Sequence, residues 1–189
     1  MGSSGPATHI RGGTGCRALA VLLLSVAFCP AFAQSADVPA EYSVKAAFLL
    51  NFTRFVTWPP ESFPEPKSPL TICVLGGDPF GRVLDIVAQG ETGNGHGLAI
   101  RRISEPPAAQ ACQILFLNPD IKDTRKILSA IPSTTLTVGE GAEFVRDGGM
   151  IAFVVENRRV RFDINQTRCD GAGLKLSSRL LSVARAVVK

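Results

Sequence analysis

The sequence predicts an α/β fold: a three-layer sandwich with a mainly parallel sheet flanked by helices and an antiparallel edge hairpin. Three observations carry that expectation. Apolar runs of strand length alternate with stretches of helical period through the middle of the chain, the pattern of crossover units. Two later runs, 150–155 and 158–164, are joined by Glu156-Asn157, too short a link for a crossover and therefore a hairpin. Finally, 189 residues at 46% hydrophobic suffice for one ordinary core.

Residues 1–33 read as a cleaved signal peptide. Arg11 and Arg17 precede an apolar stretch over 18–32, Pro30 breaks it, and Ala31-Phe32-Ala33 offers an A-x-A cleavage site before Gln34. The apolar run is shorter than the ~20 residues of a spanning helix. The expected mature chain is a single domain, 34–189, in an extracytoplasmic space.

A helix is expected over 41–58, stopped by Pro59-Pro60, then a Pro-rich loop to Pro69. Leu70 to Leu75 is an unbroken apolar run bounded by Gly76-Gly77 and reads as a buried strand. Asp78 with Pro79 behind it reads as the cap of a helix over 78–89. The Gly-rich stretch 90–97 is a turn around Asn94-Gly95, followed by strands over 98–103 and 114–118. Then come a helix over 120–131, an extended segment 134–138, a short helix 142–147 and the hairpin. A last helix opens at Ser177 or Ser178 and is expected to reach the C-terminus.

On the first helix, at ~100° per residue, Val44, Phe48, Leu49, Phe52, Phe55 and Val56 form one core-facing stripe. Lys45 falls inside it and can pair with Glu41 one turn earlier. Leu50 lies off the stripe. Three phenylalanines followed by Trp58 exceed what docking one helix requires, so Phe48, Leu50, Phe52, Phe55 and Trp58 are the candidate surface for a dimer or partner if they are not all core. The competing account is that all of them are core.

Composition narrows the chemistry. The net charge of +4 falls to +2 without residues 1–33, which hold Arg11 and Arg17 and no acid, so nothing marks a nucleic-acid binder. His9 and His96 are the only histidines, and neither sits beside a nucleophile or in a metal-ligand cluster. No catalytic residue, metal or cofactor is expected. Gly76, Gly77, Asp78 and Gly81 form a loop at the carboxyl end of a strand, where an open α/β sheet binds ligands. It could hold an anion, although Asp78 would occupy the same backbone donors. Cysteines 73, 112 and 169 remain after cleavage. An oxidising space allows them one bridge, or Cys73 and Cys112 stay buried free thiols.

Blocks along the chain carry a resemblance. Glu41-Tyr-Ser-Val-Lys-Ala-Ala-Phe-Leu-Leu-Asn-Phe-Thr-Arg-Phe-Val-Thr-Trp-Pro59, Ile72-Cys-Val-Leu-Gly-Gly-Asp-Pro-Phe-Gly81 and Cys112-Gln-Ile-Leu-Phe116 come first. Leu136-Thr-Val-Gly139, Gly148-Gly-Met-Ile-Ala-Phe153 and Val160-Arg-Phe-Asp-Ile-Asn165 follow in order. Together they resemble the YfiR family of periplasmic proteins over 41–188. The resemblance implies a dimeric periplasmic repressor that binds the periplasmic region of an inner-membrane diguanylate cyclase, lowers cyclic di-GMP and biofilm growth, and is sequestered by an OmpA-like outer-membrane lipoprotein. It also implies a disulfide between Cys73 and Cys112. The second cysteine pair of some members is absent here, since 150–165 contains no Cys. The alternative function, a small-molecule-binding sensor, rests on the crevice that such a fold offers.

Overall fold

A computed structural model of the chain describes residues 39–189. The signal peptide expected over 1–33 lies outside the described residues. Helix α1 (Ala40–Phe55) runs into β1 (Val56–Thr57), and a 3₁₀ turn at Pro60–Ser62 leads to β2 (Leu70–Leu75). Next come α2 (Arg82–Ala88), β3 (Thr92–Gly93), β4 (His96–Ile103), a 3₁₀ turn at Pro106–Ala111, β5 (Ile114–Leu117), α3 (Thr124–Ala130), β6 (Leu136–Glu140) and α4 (Ala142–Arg146). The chain closes with β7 (Ile151–Glu156), β8 (Arg159–Asn165), α5 (Gln166–Gly171), β9 (Lys175–Leu176), α6 (Ser178–Val183) and β10 (Ala186–Val188).

The large sheet has the order β10-β8-β7-β6-β5-β2-β4-β3, and β1 and β9 form a separate antiparallel pair. In the large sheet only β7–β8 and β3–β4 are antiparallel; the other pairings are parallel. The α/β class and the mainly parallel sheet are as the sequence predicts. Strand β2 is buried along its whole length because both faces are covered. Its alternate residues feed two cores. Leu70, Ile72 and Val74 meet α1 with Phe116, Val138, Phe153 and Phe162, whereas Cys73 and Leu75 meet Leu115, Leu117, Leu128 and Phe144 on the other side.

Several boundaries differ from expectation for local reasons. Asp78 does not cap α2. Its Oδ1 accepts from Phe80 N at 2.8 Å in a turn of its own, and α2 begins at Arg82 after Gly81, whose φ of +50° is not helical. Likewise Asn118 Oδ1 accepts from Asp120 N, and left-handed Asp123 delays α3 to Thr124. The hairpin turn is Asn157-Arg158, one residue later than expected, both at positive φ and closed by the Glu156–Arg159 pair.

The last helix stops at Val183. Ala184 turns extended, and β10 pairs with β8, held by Arg185 N donating to Phe162 O and by the Arg185 guanidinium on Asp163 at 2.5 Å. The hairpin is therefore not the edge of the sheet, because β10 lies outside it. β10 covers the part of the β8 edge from Asp163 to Asn165, a common way of protecting an edge.

Candidate functional site

Helix α1 lies across the first core, and partly exposed apolar side chains lie along its outer side and on the hairpin and α6 beside it. The core-facing residues are Ala46, Leu49, Phe52 and Thr53, together with Lys45, which is 1% exposed. The burial of Lys45 is made tolerable by two carboxylates: its Nζ lies 2.5 Å from Glu41 Oε1 and 2.5 Å from Glu140 Oε2, and 4.3 Å above the Tyr42 ring. Burial, and then the neighbouring Glu140, push the Tyr42 hydroxyl well above its usual pKa, so it stays a neutral donor. The Glu41 pairing is as the sequence predicts. The Glu140 pairing, across 95 residues, carries no sequence signal.

Phe52 is core. It stacks on Phe153 at 5.9 Å and meets Phe162 edge-on at 5.3 Å, with no surface left for a partner. Trp58 is core too. Its indole N–H donates to Gln113 O at 3.0 Å, and the Gln113 side chain in turn ties Thr71 N to Ser62 O. These two residues leave the expected association surface. Leu50 is half-buried, but two positions along a helix is ~200°, so it points away from Phe48 and does not share its face. Val44, expected in the core stripe, is instead 44% exposed, because the stripe is centred on Lys45, Leu49 and Phe52 rather than on Phe48.

Phe48 and Phe55 remain on the expected surface, both partly buried. Phe48 leans on Phe162 at 5.3 Å and forms a wall shared by two grooves. One groove, of about 160 Å³, lies between Phe48 and Phe55 of α1 and Leu180 and Val183 of α6, with Arg179 6.0 Å from the Phe55 ring. The other, of about 500 Å³, lies between Val44 and Phe48 and the hairpin tip, where Val155, Arg158, Arg159 and Val160 line it. Val155 and Val183 are roughly half exposed. An apolar ridge rimmed by arginines suits a partner segment that is apolar with acidic flanks. The hairpin and α6 residues escape sequence reasoning because nothing local places them beside α1. The run Arg158-Arg159-Val160-Arg161 is the one available hint.

The glycine loop after β2 has another use. Gly76, at φ +88°, lets Ile121 approach to 3.0 Å from where a Cβ would sit, and Asn118 Nδ2 donates to Gly77 O at 2.7 Å. Asp78 Oδ2 accepts from Arg102 Nε at 2.9 Å. Arg102 also donates to Gly81 O and pairs with Asp85, whose carboxyl it holds below the usual range. The anion position expected at Gly76, Gly77, Asp78 and Gly81 is thus filled by the chain's own groups. The loop seals the point between β2 and β5 where the sheet order reverses.

The bridge implied by resemblance is present. Cys73 of β2 and Cys112, just before neighbouring β5, are joined with Cα atoms 5.8 Å apart, and Cys169 is free and buried. Burial pushes the Cys169 thiol up to about 12. Among the described residues no group of acidic, His or Cys side chains could hold a metal ion, and no helix is long and apolar enough to cross a membrane.

A protein-family description, YfiR/HmsC-like, matches residues 42–185. No curated protein matches the chain. Among solved structures, a conserved domain protein from Vibrio cholerae O1 biovar El Tor is similar at 12% identity with a TM-score of 0.46. The alignment covers 62% of this chain and 54% of that one, so the chain spans about half the length of that structure.

Proposed function

The chain belongs to the YfiR/HmsC-like family, and from that membership we propose that it represses an inner-membrane diguanylate cyclase by binding the enzyme's periplasmic region. The family is periplasmic, its members are regulatory rather than catalytic, and it is known for regulating a diguanylate cyclase partner. Membership therefore points to a regulator of cyclic di-GMP signalling. The observation that carries the finer reading is the family match over 42–185. In this reading the chain is exported by cleavage after Ala33, acts as a homodimer, and is drawn off the cyclase by an OmpA-like outer-membrane lipoprotein.

A periplasmic protein reaches cytoplasmic chemistry only by binding one conformation of a spanning partner better than another. A preference of ~3 kcal/mol moves a balanced equilibrium to about 99% inactive. The ridge of Val44, Phe48, Phe55, Val155 and Val183 is the surface assigned to this contact. Phe48 and Phe55 are packed enough to be rigid, and the valines are exposed enough to be desolvated on binding.

Deleting the gene should raise cyclic di-GMP and surface attachment. A Val44→Asp, Val155→Asp chain should keep its thermal midpoint, fail to restore repression and lose affinity for the purified periplasmic region, because two charges must be desolvated at the interface only. Unchanged cyclic di-GMP on deletion would sink the repressor reading. Full repression by the double variant would move the contact elsewhere.

A further inference from the structure

At the amino ends of β6 and β7, opposite the sealed loops after β2 and β5, lies another cavity, of about 260 Å³. It shares no lining residue with the α1 grooves. Leu128 and Ile131 from the end of α3, Met150 before β7 and Ala172 after α5 make an apolar floor, all buried. Its polar lining side chains are Ser133, Thr135, Thr137, Thr167 and Arg168, of which Thr135 spends its hydroxyl proton on Cys112 O. Thr137, 5% exposed, accepts from Met150 N at 3.1 Å, which uses a lone pair and leaves its hydroxyl proton without an acceptor among the described residues. Arg168 stands exposed at the mouth. Its Nε donates to Gly148 O at 3.2 Å, which orients the guanidinium, and its terminal amines enter no ion pair among the described residues.

An apolar floor, a wall of hydroxyls that includes one buried donor, and one oriented cation form the lining of a ligand pocket rather than a packing defect, which would be dry and apolar throughout. The volume lies just below the ~300–1,000 Å³ of sites for drug-sized molecules, so the occupant has the size of an amino acid or smaller. A single guanidinium with free terminal amines matches one carboxylate, taken through two parallel N–H donors. We propose that this pocket binds a small organic monocarboxylate, its carboxylate taken by Arg168 and by a hydrogen bond donated from the Thr137 hydroxyl, and its compact apolar body over Met150 and Ala172. The site is separate from the association ridge, and its occupancy is measurable without any partner.

The test is an NMR titration of the purified chain with benzoate and hexanoate, with benzamide, hexanol and inorganic phosphate as controls. The carboxylates should saturate and shift the amides of Thr137, Met150 and Ala172, and the controls should bind about tenfold more weakly or not at all. Arg168→Gln should weaken benzoate about tenfold at an unchanged thermal midpoint. Ala172→Met, which fills the floor, should abolish binding while the folded spectrum persists. Equal binding of benzamide or phosphate, shifts confined to other regions, no saturation by about 10 mM, or an Arg168→Gln chain that binds like wild type would each overturn the proposal.

Discussion

Reducing the Cys73–Cys112 bridge while leaving both residues in place isolates its contribution to stability. The two thiols occupy nearly the same space in the second core, so packing is kept and only the covalent link is lost. The cysteines are 39 positions apart. On the loop-entropy relation a loop of that size removes about 13 cal/mol/K from the unfolded chain, or ~3.9 kcal/mol at 25 °C. For a domain of this length a loss of that size lowers the thermal midpoint by roughly 8–15 °C. Urea unfolding of the chain with and without a phosphine reductant reads the difference directly, with intact mass confirming the two added hydrogens. The urea slope should rise on reduction, since the freed chain exposes more surface when unfolded. A loss under about 1 kcal/mol would refute the entropic reasoning, and three titratable thiols in a chain lacking residues 1–33, under denaturing, non-reducing conditions, would refute the bridge itself.

Lys45→Ala leaves Glu140 facing the core edge without its cation and should cost about 3 kcal/mol in urea unfolding, whereas Lys45→Met with Glu140→Gln should recover most of it. Gly149→Ala places a methyl 2.1 Å from Phe144 Cε1 and should destabilise by about 2 kcal/mol, an effect that calorimetry should find reduced in a Phe144→Leu background. Cys169, with its pKa raised by burial from an ordinary 9.0 to about 12, is protonated in the folded chain where the unfolded chain has already ionised. Stability should hold below pH 9 and fall as pH rises from about 9 to about 12, and a Cys169→Ala chain should lose the part that begins near pH 9 and keep only the part above about pH 10 that Tyr42, also raised by burial, contributes. By the same burial, Cys169 should react with an aromatic disulfide reagent at pH 8 only after unfolding.

Local and periodic features were legible without coordinates. The strand Leu70–Leu75, the crossover alternation, the hairpin and the helix from residue 40 follow from runs and periods that each element carries within itself. The Glu41–Lys45 pair is one turn long and equally local. Less legible were boundaries set by single side chains. Asp78 and Asn118 each bond a backbone N–H two residues on, delaying a helix that composition alone would start earlier. The C-terminal segment is a clearer case. Ser177 caps α6 as its type suggests, but Ala186–Val188 becomes a strand because β8 offers an open edge and Asp163 offers Arg185 a partner.

The candidate site divides along the same line. Aromatic excess on α1 was readable from the sequence, but which aromatics are covered depends on the rotation of the helix against the sheet. That rotation is fixed by Lys45 reaching Glu140 and by Phe52 entering between Phe153 and Phe162, contacts about a hundred residues apart in the chain. The pocket under Arg168 likewise exists only where the end of α3, the amino ends of β6 and β7 and helix α5 converge. By itself, then, the sequence determined the class of fold and the family, because these rest on periodicity and ordered motifs, while the Cys73–Cys112 bridge was only implied by that resemblance and is seen in the fold. Only the tertiary structure decided which apolar side chains face solvent and where a cavity opens, because burial is a property of distant segments brought together.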